Sequence, residues 1–353
     1  MLRLRLYCLL VPVCLLVAPI SQIRAGADDQ RLDIYFIDVE GGAATLIVTP
    51  AGESILIDSG YPDNNGRDLK RILNVVRDVA GLNHIDHAAV THWHRDHYGN
   101  HAALAAEIDI RHFYDRGIPD ALQEDPEFEA RIADYRRASQ NQSIKLSAGD
   151  IFDLDSPRTP LSIQVVAASR EVIPNDGEPN PFADRHEPQP EDPSDNAASL
   201  AVMLQFGEFK FLCCGDLTWN VEAELVSPNN PLGQVDLYMV THHGLPSSNN
   251  PALVLAVDPS VAVMCNGPTK GGHPQTLKTL RAVKSLEALY QLHRNVKLDE
   301  SEQTPAKFIA NSEPTENCEG VWVLASVAPD GNTYTVQIGA EGTPDHYKTR
   351  PAR

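Results

Sequence analysis

Two β-sheets laid face to face with helices on both outer faces, a four-layer αββα arrangement within the α/β class, are what this sequence predicts, with a close α/β relative as the alternative. Two patterns lead there. Short apolar, β-branched runs alternate along the chain with segments of helical spacing. Several strand-like runs also end in His or Asp rather than in more apolar residues. With 353 residues the chain can bury a full core, as one large domain or two modest ones. Runs 32–38, 44–49 and 54–58 read as strands, with turns at Gly41-Gly42 and Pro50-Ala51-Gly52. Leu69, Ile72, Leu73, Val76 and Val79 recur at helical spacing over 68–79. A buried strand at 85–90 follows, then an Ala-rich helix after Asn100 and a charged, exposed helix over 126–139. Residues 174–196 hold six prolines and many acids, which predicts a loop or lid with no packed core. Strands at 199–205 and 210–214, a helix at 221–226, a strand at 235–240 and a βα unit over 261–289 complete the main domain, 26–296. Residues 297–353 read as a C-terminal extension, loop-like to 319. It closes with a hairpin, 321–327 and 333–338, turning through Pro329-Asp330-Gly331-Asn332.

The first 25 residues have a different character. Arg3 and Arg5 precede an apolar run from Leu6 to Ile20, and Ile23-Arg24-Ala25 offers a small-residue cleavage site. This is a signal peptide in outline. The alternative, an uncleaved anchor, is disfavoured because the run is short for a bilayer span and carries Pro12 and Pro19. The expectation is a periplasmic or secreted protein with no membrane attachment after cleavage. Removing residues 1–25 takes away three Arg and no acid, so the charge becomes 26 minus 48, or −22. Such a surface repels polyanions and argues against general nucleic-acid binding. Four cysteines remain: Cys213, Cys214, Cys265 and Cys318. The vicinal pair reads as small buried hydrophobes, and Cys265 with Cys318 is the pairing to test first.

Chemistry concentrates in Thr91-His92-Trp93-His94-Arg95-Asp96-His97-Tyr98-Gly99-Asn100. Three imidazoles and a carboxylate in the order His-x-His-x-Asp-His offer the donors that zinc and its first-row neighbours prefer. Alternation puts His92 and His94 on one side of an extended segment, while Asp96 and His97 follow where the chain turns and can reach a second ion. Asp216 follows an apolar strand and Gly215, the placement of a bridging carboxylate; its other reading is the N-cap of the 221–226 helix. His242-His243-Gly244 sits at another strand end. One of these imidazoles is expected to ligate, the other to make a supporting or core hydrogen bond.

These motifs together resemble the metallo-β-lactamase superfamily over about residues 32–290. Within it the chain looks closest to the hydrolase domain of ComEC-type DNA-uptake proteins. Asp38-Val39-Glu40-Gly41-Gly42 resembles that group's opening Asp-Val-Gly-Gln-Gly turn. Asn196-Ala197-Ala198-Ser199-Leu200 and the spacing from His242-His243-Gly244 to His273-Pro274 resemble its later elements. The chain departs from it in having no membrane channel region, and in Asn196 standing where a third histidine of the first metal is usual. His186 in the acidic loop is a candidate substitute.

The resemblance implies two divalent ions, Zn2+ first and Mn2+ as the other candidate, that activate a water and clamp attacking and leaving oxygens. His92 and His94 would hold the first ion, with Asn196 in the usual histidine position. Asp96, His97 and His243 would hold the second, and Asp216 would bridge. Asp96 could also orient the nucleophile, Asp58 would brace the loop, and Lys270 and His273 could meet an anionic substrate. The implied activity is metal-bound hydroxide attacking an ester or phosphodiester, in a small molecule or a larger phosphodiester substrate. A β-lactam or lactone hydrolase, or a non-catalytic metal-binding protein that keeps the fold, are the alternatives.

Overall fold

Strand Leu32–Phe36 sends alternate side chains to opposite faces, and all of them are buried. That is possible only if layers cover both sides of its sheet. The computed structural model, which describes residues 26, 28–62, 64–155, 158–313 and 315–351, has that arrangement. The segment read as a signal peptide lies outside the described residues. The first sheet runs, in spatial order, Asp345–Lys348, Thr333–Ile338, Val323–Val327, Leu32–Phe36, Thr45–Val48, Ser54–Ile57, His84–Ala89, Asp109–Asp115 and Ile144–Lys145. The second runs Ile309–Asn311, Ala288–His293, Val261–Met264, Leu237–Met239, Phe209–Cys213, Ala201–Phe206, Leu161–Ala168 and Glu171–Val172.

Between the sheets, Ile34, Phe36, Ile47 and Ile55 meet Leu204, Phe206, Phe211 and Leu237. On the outer face of the first sheet, Tyr35, Leu46 and Leu56 pack with Ile72, Val76 and Leu104 from the covering helices. On the outer face of the second, Met203, Leu212 and Tyr238 pack with Leu253, Leu277 and Leu280. The αββα expectation holds. Helix Phe128–Ala138 is charged as expected, yet it buries Phe128, Ile132 and Tyr135, one apolar stripe against the first sheet's outer layer.

Two expectations gain detail and a third needs correction. The 297–353 extension carries the expected hairpin and is built into both sheets: Val323–Val327 pairs antiparallel with Thr333–Ile338 and with Leu32–Phe36, and Ile309–Asn311 pairs parallel with Ala288–His293. It covers what would otherwise be open edges in both sheets. The proline-rich segment 174–196 is pinned rather than loose. Glu178–Pro179 pairs with Asn229–Asn230, the Asn180 side-chain amide donates to the carbonyls of Val226 and Ala252, and the Trp219 indole donates to the Glu187 carbonyl. Backbone and amide hydrogen bonds do here what apolar packing cannot. Finally, Cys213, Cys214, Cys265 and Cys318 are all free thiols. Cys265 belongs to the core between the sheets, whereas the Cys318 thiol contacts Asp38 and Asn311.

Candidate metal centre

Strand His84–Ala89 delivers the chain to Thr91, and Asp58, at the end of the neighbouring strand, anchors the loop that begins there. Its carboxylate accepts from the Thr91 backbone N–H and hydroxyl, both at 2.8 Å, and from His97 Nδ1 at 2.8 Å. Asp195 accepts the Trp93 N–H at 2.6 Å and pairs with Arg116, so the loop is held from both sheets. A single helical turn, Arg95–Tyr98, then swings Asp96 and His97 inward. From the second sheet, His242 and His243 enter on left-handed backbone, φ 54° at each, followed by Gly244 at 81°. Left-handed conformation at two successive non-glycine residues is uncommon and strained, and it is tolerated here because it aims both rings at one point.

That point is Asp216. Its Oδ2 lies 3.2 Å from His97 Nε2, 3.3 Å from His242 Nε2, 3.4 Å from His243 Nε2 and 3.8 Å from His92 Nε2. Asp96 Oδ2 lies 3.3 Å from both His97 Nε2 and His243 Nε2. The N-cap reading of Asp216 fails, since the helix begins at Trp219 with Thr218 in the cap position. Both imidazoles of the His242-His243 pair face the centre, where only one was expected to. Each is held from behind: His243 Nδ1 by the Cys265 carbonyl at 3.0 Å, His242 Nδ1 by the hydroxyls of Ser247 and Ser248 at 3.1 Å.

The donor set fits divalent cations. With Nδ1 of His97 and His243 donating to Asp58 and to a carbonyl, the Nε2 lone pairs turn toward the carboxylates. Lone pairs and anionic oxygens crowded together repel unless a proton or a cation sits among them. The spacing matches too: bonds of about 2.0–2.1 Å in a tetrahedral zinc shell put neighbouring donors about 3.3 Å apart. His92 Nε2 and Asn196 Oδ1 are buried and have no hydrogen-bond partner, which leaves both free to ligate.

Charge follows the same geometry. Burial pushes the Asp216 carboxyl upward, but His242, His97 and His243 outweigh it and hold it well below the usual carboxylate range. Burial works against the His97 imidazolium, yet Asp216, Asp96 and Asp58 carry it well above its ordinary value. His92 is pressed well below its ordinary value by burial and by His97, so its ring is neutral.

Other expected participants have partners of their own. His94 is beside His92, ring centroids 4.7 Å apart, but its Nε2 rests 3.0 Å from Glu124 Oε1. Lys270, expected to greet an anionic substrate, is ion-paired: its Nζ lies 2.5 Å from Asp96 Oδ2 and 3.3 Å from the Tyr61 hydroxyl. His273 is exposed, in the cap position of helix Pro274–Arg281, where its Nδ1 accepts the Gln275 N–H at 3.3 Å. His186 is engaged with the Asn250 side chain at 2.8 Å. Sequence reasoning missed Asp195, Tyr61, Glu124 and the Ser247-Ser248 pair. Of these only Asp195, next to Asn196, carried a signal.

The family model of the metallo-β-lactamase superfamily matches residues 37–289. The chain belongs to this superfamily. No curated protein matches it. Among solved structures it is similar to the metallo-β-lactamase fold protein YhfI from Bacillus subtilis, at 11% identity and a TM-score of 0.43, covering 73% of this chain and 95% of that one. It is also similar to CmlA, a diiron β-hydroxylase from Streptomyces venezuelae, at 16% identity and a TM-score of 0.40, covering 72% of this chain and 47% of that one. A metallo-β-lactamase from Cronobacter sakazakii matches at 14% identity and a TM-score of 0.33, covering 61% of this chain and 74% of that one.

Proposed function

We propose that this protein is an exported hydrolase that holds two divalent ions and cleaves an ester or phosphodiester. The carrying observation is the convergence of four imidazole Nε2 atoms on Asp216 Oδ2, with His92 Nε2 orphaned and buried. His92, His94 and Asn196 would hold one ion. Asp96, His97 and His243, with His242 beside them, would hold the other, and Asp216 would be shared. Imidazole and carboxylate donors favour zinc, with manganese as the second candidate. When bound, the ions would supply Lewis-acid polarisation and make water nucleophilic at neutral pH. The chain's own residues do the positioning. Asp58, the Cys265 carbonyl and the two serines fix ring tautomers and orientation. Asp96 would orient the nucleophile, and Lys270, beside it, would meet charge on the substrate.

Asp216→Asn tests it. The change is nearly isosteric and removes the shared charge. Hydrolysis across a panel of phosphodiester, phosphomonoester, ester, lactone and β-lactam substrates, under zinc and under manganese, should fall by about two orders of magnitude or more. Thermal unfolding of the chelated protein should change little. Full activity of the variant on every substrate the wild type cleaves would overturn the two-ion mechanism.

A further inference from the structure

A second group of metal-binding side chains lies outside the centre at Asp216. Asp38 and Glu40 follow the first strand, His293 ends strand Ala288–His293 of the other sheet, and Cys318 comes from the C-terminal stretch. One ligand atom from each of the four falls within 4.8 Å of the others. His293 Nε2 is 2.8 Å from Asp38 Oδ1, and Cys318 Sγ is 3.4 Å from Asp38 Oδ2 and 3.9 Å from His293 Nε2. A tetrahedral zinc shell with a bond of about 2.3 Å to sulfur and about 2.1 Å to nitrogen or oxygen puts sulfur about 3.6 Å from its neighbours. The Glu40 side chain is only 4% exposed; its Oε1 has no hydrogen bond, although Arg71 Nη1 lies 3.1 Å away.

We propose that Asp38, Glu40, His293 and Cys318 form a closed structural site for a zinc-class divalent cation, independent of the centre at Asp216. Thiolate with imidazole selects zinc over magnesium or calcium. Four protein donors leave no open position, the mark of a structural rather than a catalytic site. The two arginines nearby do not forbid it. Arg71 pairs with Asp38 and Glu40, and Arg67 pairs with Glu40 and Asp68, so two guanidinium groups face three carboxylates. What it joins gives the site a purpose. It ties both sheets to the C-terminal stretch, directly behind the Gly41-Gly42 turn. That turn lies against the main centre: Ala43 N–H donates to the Asp96 carbonyl at 3.0 Å, and a Cβ on Gly41 would sit 3.1 Å from the Lys270 Cβ.

Cobalt(II) loading of the purified full chain decides the matter, because thiolate-to-cobalt charge transfer absorbs in the near ultraviolet and an all-His/carboxylate centre does not. The band is expected in the wild type and in Asp216→Asn, and absent in Cys318→Ser, which should also lose one metal equivalent. In the wild type, zinc should slow alkylation of Cys318 by iodoacetamide by about tenfold or more, read by peptide mass spectrometry and reversed by a chelator. This second readout needs no variant to fold. A cobalt-loaded wild type without the band, a band that survives in Cys318→Ser, or alkylation indifferent to zinc would each overturn the site while leaving the Asp216 centre untouched.

Discussion

Glu222 illustrates how one buried carboxyl leaves a signature on the whole protein. It lies in helix Trp219–Val226 and is fully buried, and one oxygen accepts the Asn250 N–H at 2.7 Å. Burial raises its carboxyl to about 7, against the opposing pull of the Asn250 and Asn249 N–H groups, from an ordinary value of 4.5. Between those two values the unfolded chain releases a proton that the folded chain keeps. Stability therefore falls as pH rises through this window and levels off above about 7. The cost is on the order of 3 kcal/mol at most. Glu222→Gln removes the proton that titrates. In urea unfolding of the chelated protein, the variant should match the wild type near pH 4.5 and gain on it steadily toward pH 8. A difference that stays constant with pH would show that burial does not keep Glu222 protonated.

Among the elements, the C-terminal strands matter most for integrity. Val323, Val327, Tyr334 and Val336 are buried between the sheets. At about 1.5–3 kcal/mol each, these four contribute on the order of 6–12 kcal/mol, comparable with the whole stability of a typical domain. Their removal also leaves Leu32–Phe36 as a bare edge. A chain ending at residue 320 should therefore lose its cooperative thermal transition by circular dichroism and aggregate on expression. A truncated chain that melts like the full one would make 321–353 dispensable. The elements also mark where sequence reading stopped short. Leu161–Ala168 is the penultimate strand of the second sheet, inside the edge strand Glu171–Val172, but Ser162 and Gln164 interrupt its apolar run. Its partner Ala201–Phe206 lies far along the chain, and nothing local announces the pairing.

At the scale of the molecule, a net charge of −22 after loss of residues 1–25 accompanies the proposed export. Among the described residues no helix is long and apolar enough to cross a membrane. Protein recovered from a bacterial host should yield an N-terminal sequence starting near Gly26, in the soluble fraction outside the cytoplasm. Intact Met1 retained on membranes would reverse the assignment of compartment.

The sequence by itself determined the layered fold and the main cluster of donors, because both are written in local pattern. Apolar alternation sets which faces are buried, and His-x-His-x-Asp-His places four donors within six residues. Asp216 and the His242-His243 pair were legible as polar residues at strand ends, a position that faces solvent or a site and not a core. Only the tertiary structure decided the rest. It put both His242 and His243 on Asp216, gave Lys270 to Asp96, and turned His273 into a helix cap. It also drew Asp38, His293 and Cys318 together across 280 residues of chain. Contacts of that kind depend on how two twisted sheets meet at their ends, and the spacing of residues along one chain carries no record of which ends will meet.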